Sequence, residues 1–268
     1  LASHRMATCC VPGIDMLLRC GAIFGSSQPA LDGVGHMNSS LICFLITSLT
    51  YGGAENQLMR LAIRLKQRGW DIRVVTLKPP LAYREELELA GVPVHSLNIQ
   101  NKHPDPRPII HLIRLLWSWR PFILHSFMVH ANLLSRLVRP LAPIPVLICS
   151  ARNTDEGGRF REILYRLTDP LCDLTTQVSL AGMQRYVKIG AVPKNKILYV
   201  PNGVDTDKYR PDPCSRRRLR EALGCNDAFI WLAAGRFYPQ KDYPNLLRAF
   251  AFIAEERKDA MLILVGDG

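Results

Sequence analysis

An arginine and a lysine five positions apart, Arg236 and Lys241, stand in the segment GRFYPQKDYPNLLRAF (235–250). The segment opens where an apolar run ends, and Pro244 marks a helix start, where a missing N–H is harmless. A planar guanidinium, a mobile ammonium and a helix N-terminus can converge on a diphosphate and neutralise charge as a leaving group departs. Two such side chains are equally at home as solvated cations in a surface loop, and spacing alone leaves these readings level. A second candidate lies in LICFLITSLTYGGAENQLMRLAIRLKQRGW (41–70), where Gly52 and Gly53 separate an apolar run from a helical pattern. Backbone N–H groups at such a helix start suit an anion. A tight turn needs the same glycines and is the commoner use, and the spacing is neither G-x-G-x-x-G nor that of a P-loop. His125 and His130 complete the set, each as readily a packed histidine as a catalyst.

The elements that must position these residues are legible. Residues 41–46 form a continuous apolar run, the pattern of a strand buried on both faces. Similar strand segments follow at 71–77, 92–97, 122–127, 144–150, 173–179 and 196–201. Helical patterns lie between them at 53–68, 83–90, 108–119, 130–139, 159–168 and 180–188. This alternation predicts an α/β fold with a doubly wound parallel sheet, whose ligands sit at the carboxyl ends of the strands. That edge holds the Gly52–Gly53 turn, His125 and the loop SARNTDEGG (150–158). Beyond PNGVDTDKYRPDP (201–213), a linker or structured turn, the pattern restarts with a helix at 214–223, a strand at 229–235, a helix at 243–256 and a strand at 261–266. The helix at 108–119 pairs Trp117 and Trp119 with Arg114 and Arg120 as interfacial helices do, but apolar residues surround most of it and it reads as a buried crossover helix. The run SRRRLRE (215–221) lacks the interleaved aromatic residues of a nucleic-acid stacking site and reads as a solvated helix face.

At 268 residues and 48% hydrophobic, the chain can bury one large or two modest cores. No apolar run reaches the ~18 residues that span a bilayer. The eight cysteines form no C-x-x-C pair, so neither zinc nor redox chemistry is signalled and a reducing cytoplasm is expected. A net charge of +11 calls for an anionic partner: nucleic acid, an acidic membrane surface or a phosphorylated substrate. Residues 1–36 carry no sustained periodicity and read as a disordered or non-native leader ahead of Met37. The expected domains are 37–205 and an incomplete 206–268, because the chain stops in a turn, LILVGDG, as a fragment would.

Taken in order, GGAENQ, PNGVDTDKYRPD, GRFYPQKDYPNLLRAFA and LILVGDG resemble the retaining glycosyltransferases of family four, which have the GT-B fold. The resemblance spans Leu41 to Gly268. It implies two Rossmann-like domains, the first holding the acceptor and the second a nucleotide-diphosphate sugar, often with UDP as the nucleotide. Arg236 and Lys241 would contact the donor diphosphate. Gly52 and Gly53 would lie close to the phosphates, where a side chain would obstruct the backbone's approach. Glu55 would cap its helix or contact acceptor hydroxyls, with Asn153 on the same acceptor side. Many relatives carry a catalytic histidine in the loop where this chain has SARNTDEGG. Arg152 stands in its place and, being unable to act as a base, would act electrostatically, with His125 one strand earlier. No metal or resident cofactor is implied. The expected setting is cytoplasmic, with contact at an anionic inner membrane face and no nucleic acid. The family's paired glutamates of the donor site do not appear, so an inactive acceptor- or membrane-binding module is the rival reading. A nucleotide-sugar epimerase, which can share the GT-B plan, is a further one.

Overall fold

The computed structural model describes residues 41–99, 105–155 and 157–267, and the leader expected over 1–36 lies outside them. The chain divides after Gly203 into two compact units. The first is a seven-stranded, wholly parallel sheet: β1 (Ile42–Ile46), β2 (Ile72–Thr76), β3 (Val94–Ser96), β4 (Ile123–Phe127), β5 (Val146–Ala151), β6 (Leu174–Gln177) and β7 (Ile197–Tyr199). The strand order is β3-β2-β1-β4-β5-β6-β7, the doubly wound arrangement. Every residue of β1 is buried, which explains its unbroken apolar run.

Helices α1 (Gly53–Gln67) and α2 (Arg84–Leu89) cover one face, and α3 (Arg107–Trp119) and α4 (Val129–Val138) the other. On α1, Leu58, Ala62 and Leu65 recur at helical spacing and pack against Phe44 and Ile46 of β1. Each buried leucine contributes about 2 kcal/mol, which fixes the helix and therefore the turn at Gly52. Helices α5 (Arg159–Thr168) and α6 (Leu180–Lys188) follow β5 and β6, joined by an edge-to-face contact of Tyr165 with Tyr186. The expectation of a buried crossover helix is corrected for α3. It buries Leu112 and Leu116 but leaves Ile109, Ile110 and Trp117 exposed, so only one side of it faces the core.

Among the described residues, one charged side chain is wholly inside. Arg136 of α4 is 0% exposed and sits among Tyr165, Thr168, Thr175 and Cys149.

The second unit pairs β8 (Phe229–Ala234) in parallel with β9 (Ala260–Val265), with α7 (Pro213–Ala222) and α8 (Tyr243–Glu256). Asp212 caps α7, accepting from the backbone N–H of Cys214 and Ser215, and Pro213 opens the helix. The two strands close on each other just past their carboxyl ends. Gly235 N–H donates to the Val265 carbonyl and Phe237 N–H to that of Asp267. A Cβ on Gly266 would fall 1.9 Å from the Gly235 carbonyl oxygen, a backbone atom that cannot yield locally. Gly266→Ala is therefore expected to force this end open and to speed amide exchange of Gly235 and Phe237 by about tenfold or more. Unchanged exchange would mean that the backbone absorbs the methyl.

Candidate active site

In the first unit, the polar residues that converge do so at the carboxyl edge of the sheet. Gly52 is the N-cap of α1 with extended backbone and no side-chain cap. Glu55, two residues into the helix from Gly53, folds back over it. A Cβ on Gly52 would meet Glu55 Oε2 at 2.3 Å, whereas one on Gly53 would meet nothing within 4 Å. The two glycines therefore differ: Gly52 makes room for the Glu55 carboxylate, and Gly53 leaves the helix start open. Glu55 is 6% exposed and accepts a 2.9 Å hydrogen bond from Thr50 Oγ1.

Facing this carboxylate is Arg152, the first residue after β5. Burial draws its pKa below the ordinary arginine value while the Glu55 charge opposes that shift. The guanidinium stays charged regardless. It donates to Asn202 Oδ1 at 2.6 Å and lies over the Phe127 ring at 5.9 Å. The neighbouring Gly203 is held by both its backbone groups: Gln57 Nε2 donates to its carbonyl at 2.9 Å and its N–H donates to Gln57 Oε1 at 3.0 Å. Gln57 and Asn202 carry no chemical signal of their own in the sequence, although both lie inside motifs of the family resemblance, GGAENQ and PNGVDTDKYRPD. Two amide side chains among glycines, Gln57 bonded to a glycine 146 residues away in sequence, offer no periodic signal.

Asn153 contributes its main chain, its carbonyl accepting from Gln177 Nε2 at 2.9 Å, while its side chain is exposed. The loop beyond is rigidified by Asp155, which accepts from the N–H of Gly157 and Gly158, and by Arg185, which donates to the Thr154 carbonyl.

His125 sits on the same sheet face as Phe44 and Phe127, with ring centroids at 5.5 and 4.5 Å. Its Nε2 is 2.8 Å from Ser150 Oγ, which is 2.7 Å from Thr176 Oγ1, a hydroxyl chain across β4, β5 and β6. Burial and then the Arg152 charge push its pKa down to about 3. The imidazole is therefore neutral in the folded chain while free histidine titrates near 6.5. The unfolded chain binds the proton first, so stability due to this residue is complete above about pH 6.5 and falls as pH drops toward 3. Urea midpoints of the wild type and His125→Gln, compared at pH 7 and pH 4.5, should show the wild type losing more; equal losses would refute the buried neutral assignment. His130 is exposed, with its pKa drawn down by partial burial, Arg161 and Lys78.

In the second unit, β8 ends at Ala234, Gly235 follows it, and a tight turn, Pro239–Lys241, leads to α8. Asp242 takes a left-handed conformation (φ 48°) just before the helix, and Pro244 occupies its first turn. Tyr243 Oη donates to the Gly235 carbonyl at 2.8 Å and its ring packs edge-on against Phe237. The stem of Lys241 runs beside Gly235, with Cε 3.5 Å from where a Cβ would stand. Arg236 lies over the Tyr238 ring at 5.0 Å. Both basic side chains are exposed, and neither forms an ion pair with a described carboxylate. Two cations and an open helix N-terminus at one strand end are what an oxyanion requires.

Residues 51–208, more than half the chain, match Glycosyltransferase Family 4. The chain belongs to that family. Family membership thus covers the segment that holds Gly52, Glu55, Arg152 and Asn202. Over 96 residues the chain is 33% identical to the GDP-mannose-dependent alpha-(1-6)-phosphatidylinositol monomannoside mannosyltransferase of Mycolicibacterium smegmatis, covering 36% of this chain and 25% of that protein. It is 25% identical over 178 residues to the UDP-Gal:alpha-D-GlcNAc-diphosphoundecaprenol alpha-1,3-galactosyltransferase of Escherichia coli, covering 61% of this chain and 45% of the relative. The fold matches that of HepE from Anabaena, crystallised with UDP and glucose, at a TM-score of 0.70 and 20% identity over 85% of this chain and 61% of HepE. The family-four assignment and the expected α/β, GT-B-like fold are thereby borne out. The matches to the two sequence relatives cover less than half of each relative's length.

Proposed function

We propose that this chain serves the transfer of a sugar from a nucleotide-diphosphate sugar to the hydroxyl of a saccharide or lipid-linked acceptor, with retention at the anomeric carbon. The observation that carries this reading is the junction of GGAENQ, Arg152 and the PNG turn at the carboxyl edge of the sheet. It is a rigid, charged site inside the family-matched segment. Cleavage at the anomeric carbon leaves an extra negative charge on the nucleoside diphosphate. Arg236, Lys241 and the start of α8 would neutralise it, which in this reading leaves no role for a resident metal. Arg152, Glu55 and Asn153 would orient the acceptor, and the neutral His125 would hold Ser150 in place rather than remove a proton.

The relatives support a nucleotide sugar in general: one depends on GDP-mannose, another uses UDP-galactose, and HepE was crystallised with UDP. What these donors share is the diphosphate. The expected setting is the cytoplasmic side of a membrane, peripheral to it, and no described helix is long and apolar enough to cross one. The comparisons favour neither the inactive-module nor the epimerase reading, since solved UDP-N-acetylglucosamine 2-epimerases share the fold alone, at 14% identity. Titration of the chain with UDP and with GDP tests the proposal. Saturable binding of either supports it; indifference to both overturns it. UDP-N-acetylglucosamine supplied without acceptor should return unepimerised.

A further inference from the structure

We propose that Tyr51 and Tyr83 form an aromatic platform that seats a pyranose ring of a saccharide acceptor, an assignment that rests on the transferase function proposed above. The two rings meet edge-to-face with centroids 5.8 Å apart, one from each of the loops that follow β1 and β2. Tyr51 directly precedes Gly52 and is 76% exposed, so most of its ring is open to a ligand. Both loops lie at the carboxyl edge of the sheet and are tied to each other. Lys78 N–H donates to the Thr47 carbonyl at 3.0 Å, and the N–H groups of Leu81 and Ala82 both donate to the Leu49 carbonyl.

Backbone conformation sets Tyr83 apart from an ordinary loop residue. It takes a left-handed φ of 59° at the start of α2. Glycines 69, 91, 190 and 224 take comparable angles, at no steric cost. A bulky side chain in this region is an outlier that persists only where its surroundings hold it. The holding contacts are the Tyr51 ring and Asn56 of α1, whose Nδ2 donates to Tyr83 Oη at 3.4 Å. Yet Tyr83 is only half-buried and belongs to none of the three core clusters. Strain kept for a ring outside the core points to a ligand.

Chemistry selects the occupant. The platform combines open ring surface with a polar rim, made by the Tyr83 hydroxyl and the Asn56 amide, next to the Glu55 carboxylate that folds over Gly52. A pyranose divides in the same way, with C–H groups on its faces and hydroxyls around its edge. Polarised C–H groups are drawn to the negative face of an aromatic ring, and the amide and phenol exchange hydrogen bonds with the hydroxyls. An acyl chain would cover the rim and leave those polar groups unanswered. A rim that hydrogen-bonds also discriminates among sugars, because a missing hydroxyl leaves its partner unpaired.

Saturation-transfer NMR with the methyl glycosides of mannose, galactose and N-acetylglucosamine tests the platform. It needs neither nucleotide nor catalysis, so its failure is distinct from that of the transferase reading, which UDP and GDP decide. Saturable binding of at least one glycoside in the millimolar range is expected. Tyr51→Ala should weaken it by about tenfold, while Tyr51→Phe keeps the ring face and should bind like the wild type. Tyr83→Gly removes the second ring and relieves the left-handed strain, so binding should fall similarly while the melting temperature does not. No glycoside binding by the wild type, or binding indifferent to both Tyr51→Ala and Tyr83→Gly, overturns the proposal. So does binding of octyl glucoside with all the methyl glycosides inert, which would make the pair a seat for an acyl chain.

Discussion

Lys241→Ala is expected to weaken the binding of UDP and of GDP by about 10- to 100-fold while leaving uridine and guanosine affected little, if at all. The range follows from a charge-assisted hydrogen bond to phosphate, worth about 1.5–3 kcal/mol net. The reasoning is local to the second unit. Lys241 is exposed, its ammonium makes no ion pair among the described residues, and its stem is laid beside Gly235 at the end of β8. Removing it should cost little stability, so any loss in affinity reads the site and not the fold. Arg236 differs because its guanidinium rests on Tyr238 and is oriented before a ligand arrives. Arg236→Lys should therefore keep the charge but lose the fork, and fall between wild type and Arg236→Ala. Isothermal titration with the nucleoside as control separates the outcomes. Equal losses for UDP and uridine would assign Lys241 to the base or ribose, and no loss for either would remove it from the donor site.

The frame that carries these residues was legible because its physics is local. A strand buried on both faces must be apolar throughout, and β1 is fully buried over the run that the sequence displays. The alternation of such runs with helical periods then leaves few topologies open. The Gly52–Gly53 turn was legible for the same reason, being punctuation between two periods. The different duties of its glycines were not, because Gly52 is defined by where the Glu55 carboxylate folds. Helix α3 was misjudged for a related reason. Its apolar residues nearly encircle it, and a helical wheel cannot say which of them the sheet will cover; Leu112 and Leu116 are covered, and Trp117 is not. The bonds that build the candidate site join Gln57 to Gly203 and Arg152 to Asn202, pairs 146 and 50 residues apart. No periodicity encodes such a meeting. Arg136 is the extreme case: in sequence it is one of the chain's many arginines, and in the fold it is among the most buried side chains.

That arginine sets up the largest expected change in stability. Its guanidinium donates to the Tyr165 carbonyl at 3.0 Å and to Thr168 and Thr175 hydroxyls, and it lies 4.5 Å over the Tyr165 ring. It makes no ion pair with a described carboxylate. Its Nε instead points at Cys149 Sγ, 3.5 Å away. Burial alone would raise the Cys149 pKa, but a hydrogen bond from Cys172 and the Arg136 charge outweigh it and draw the thiol below its ordinary value. Cys172 is pushed up by serving as that donor and by its own burial. Cys149 is then the ionisable group beside the buried cation whose negative form the surroundings favour. Cys149→Ser should cost about 3–5 kcal/mol, because an arginine cannot shed its charge. Arg136→Met should cost less, because a thiolate that loses its cation simply takes up a proton. The double variant should recover part of the Cys149→Ser loss. The pH dependence has a definite sign. A thiol with a depressed folded pKa adds stability that is complete above its unfolded value of about 8.5 and is lost as pH falls toward the folded value. The gap in urea midpoint between wild type and Cys149→Ser should accordingly widen from pH 6 to pH 8.5. Equal costs for the two single variants, with a gap that ignores pH, would show that Arg136 is held by its neutral partners alone.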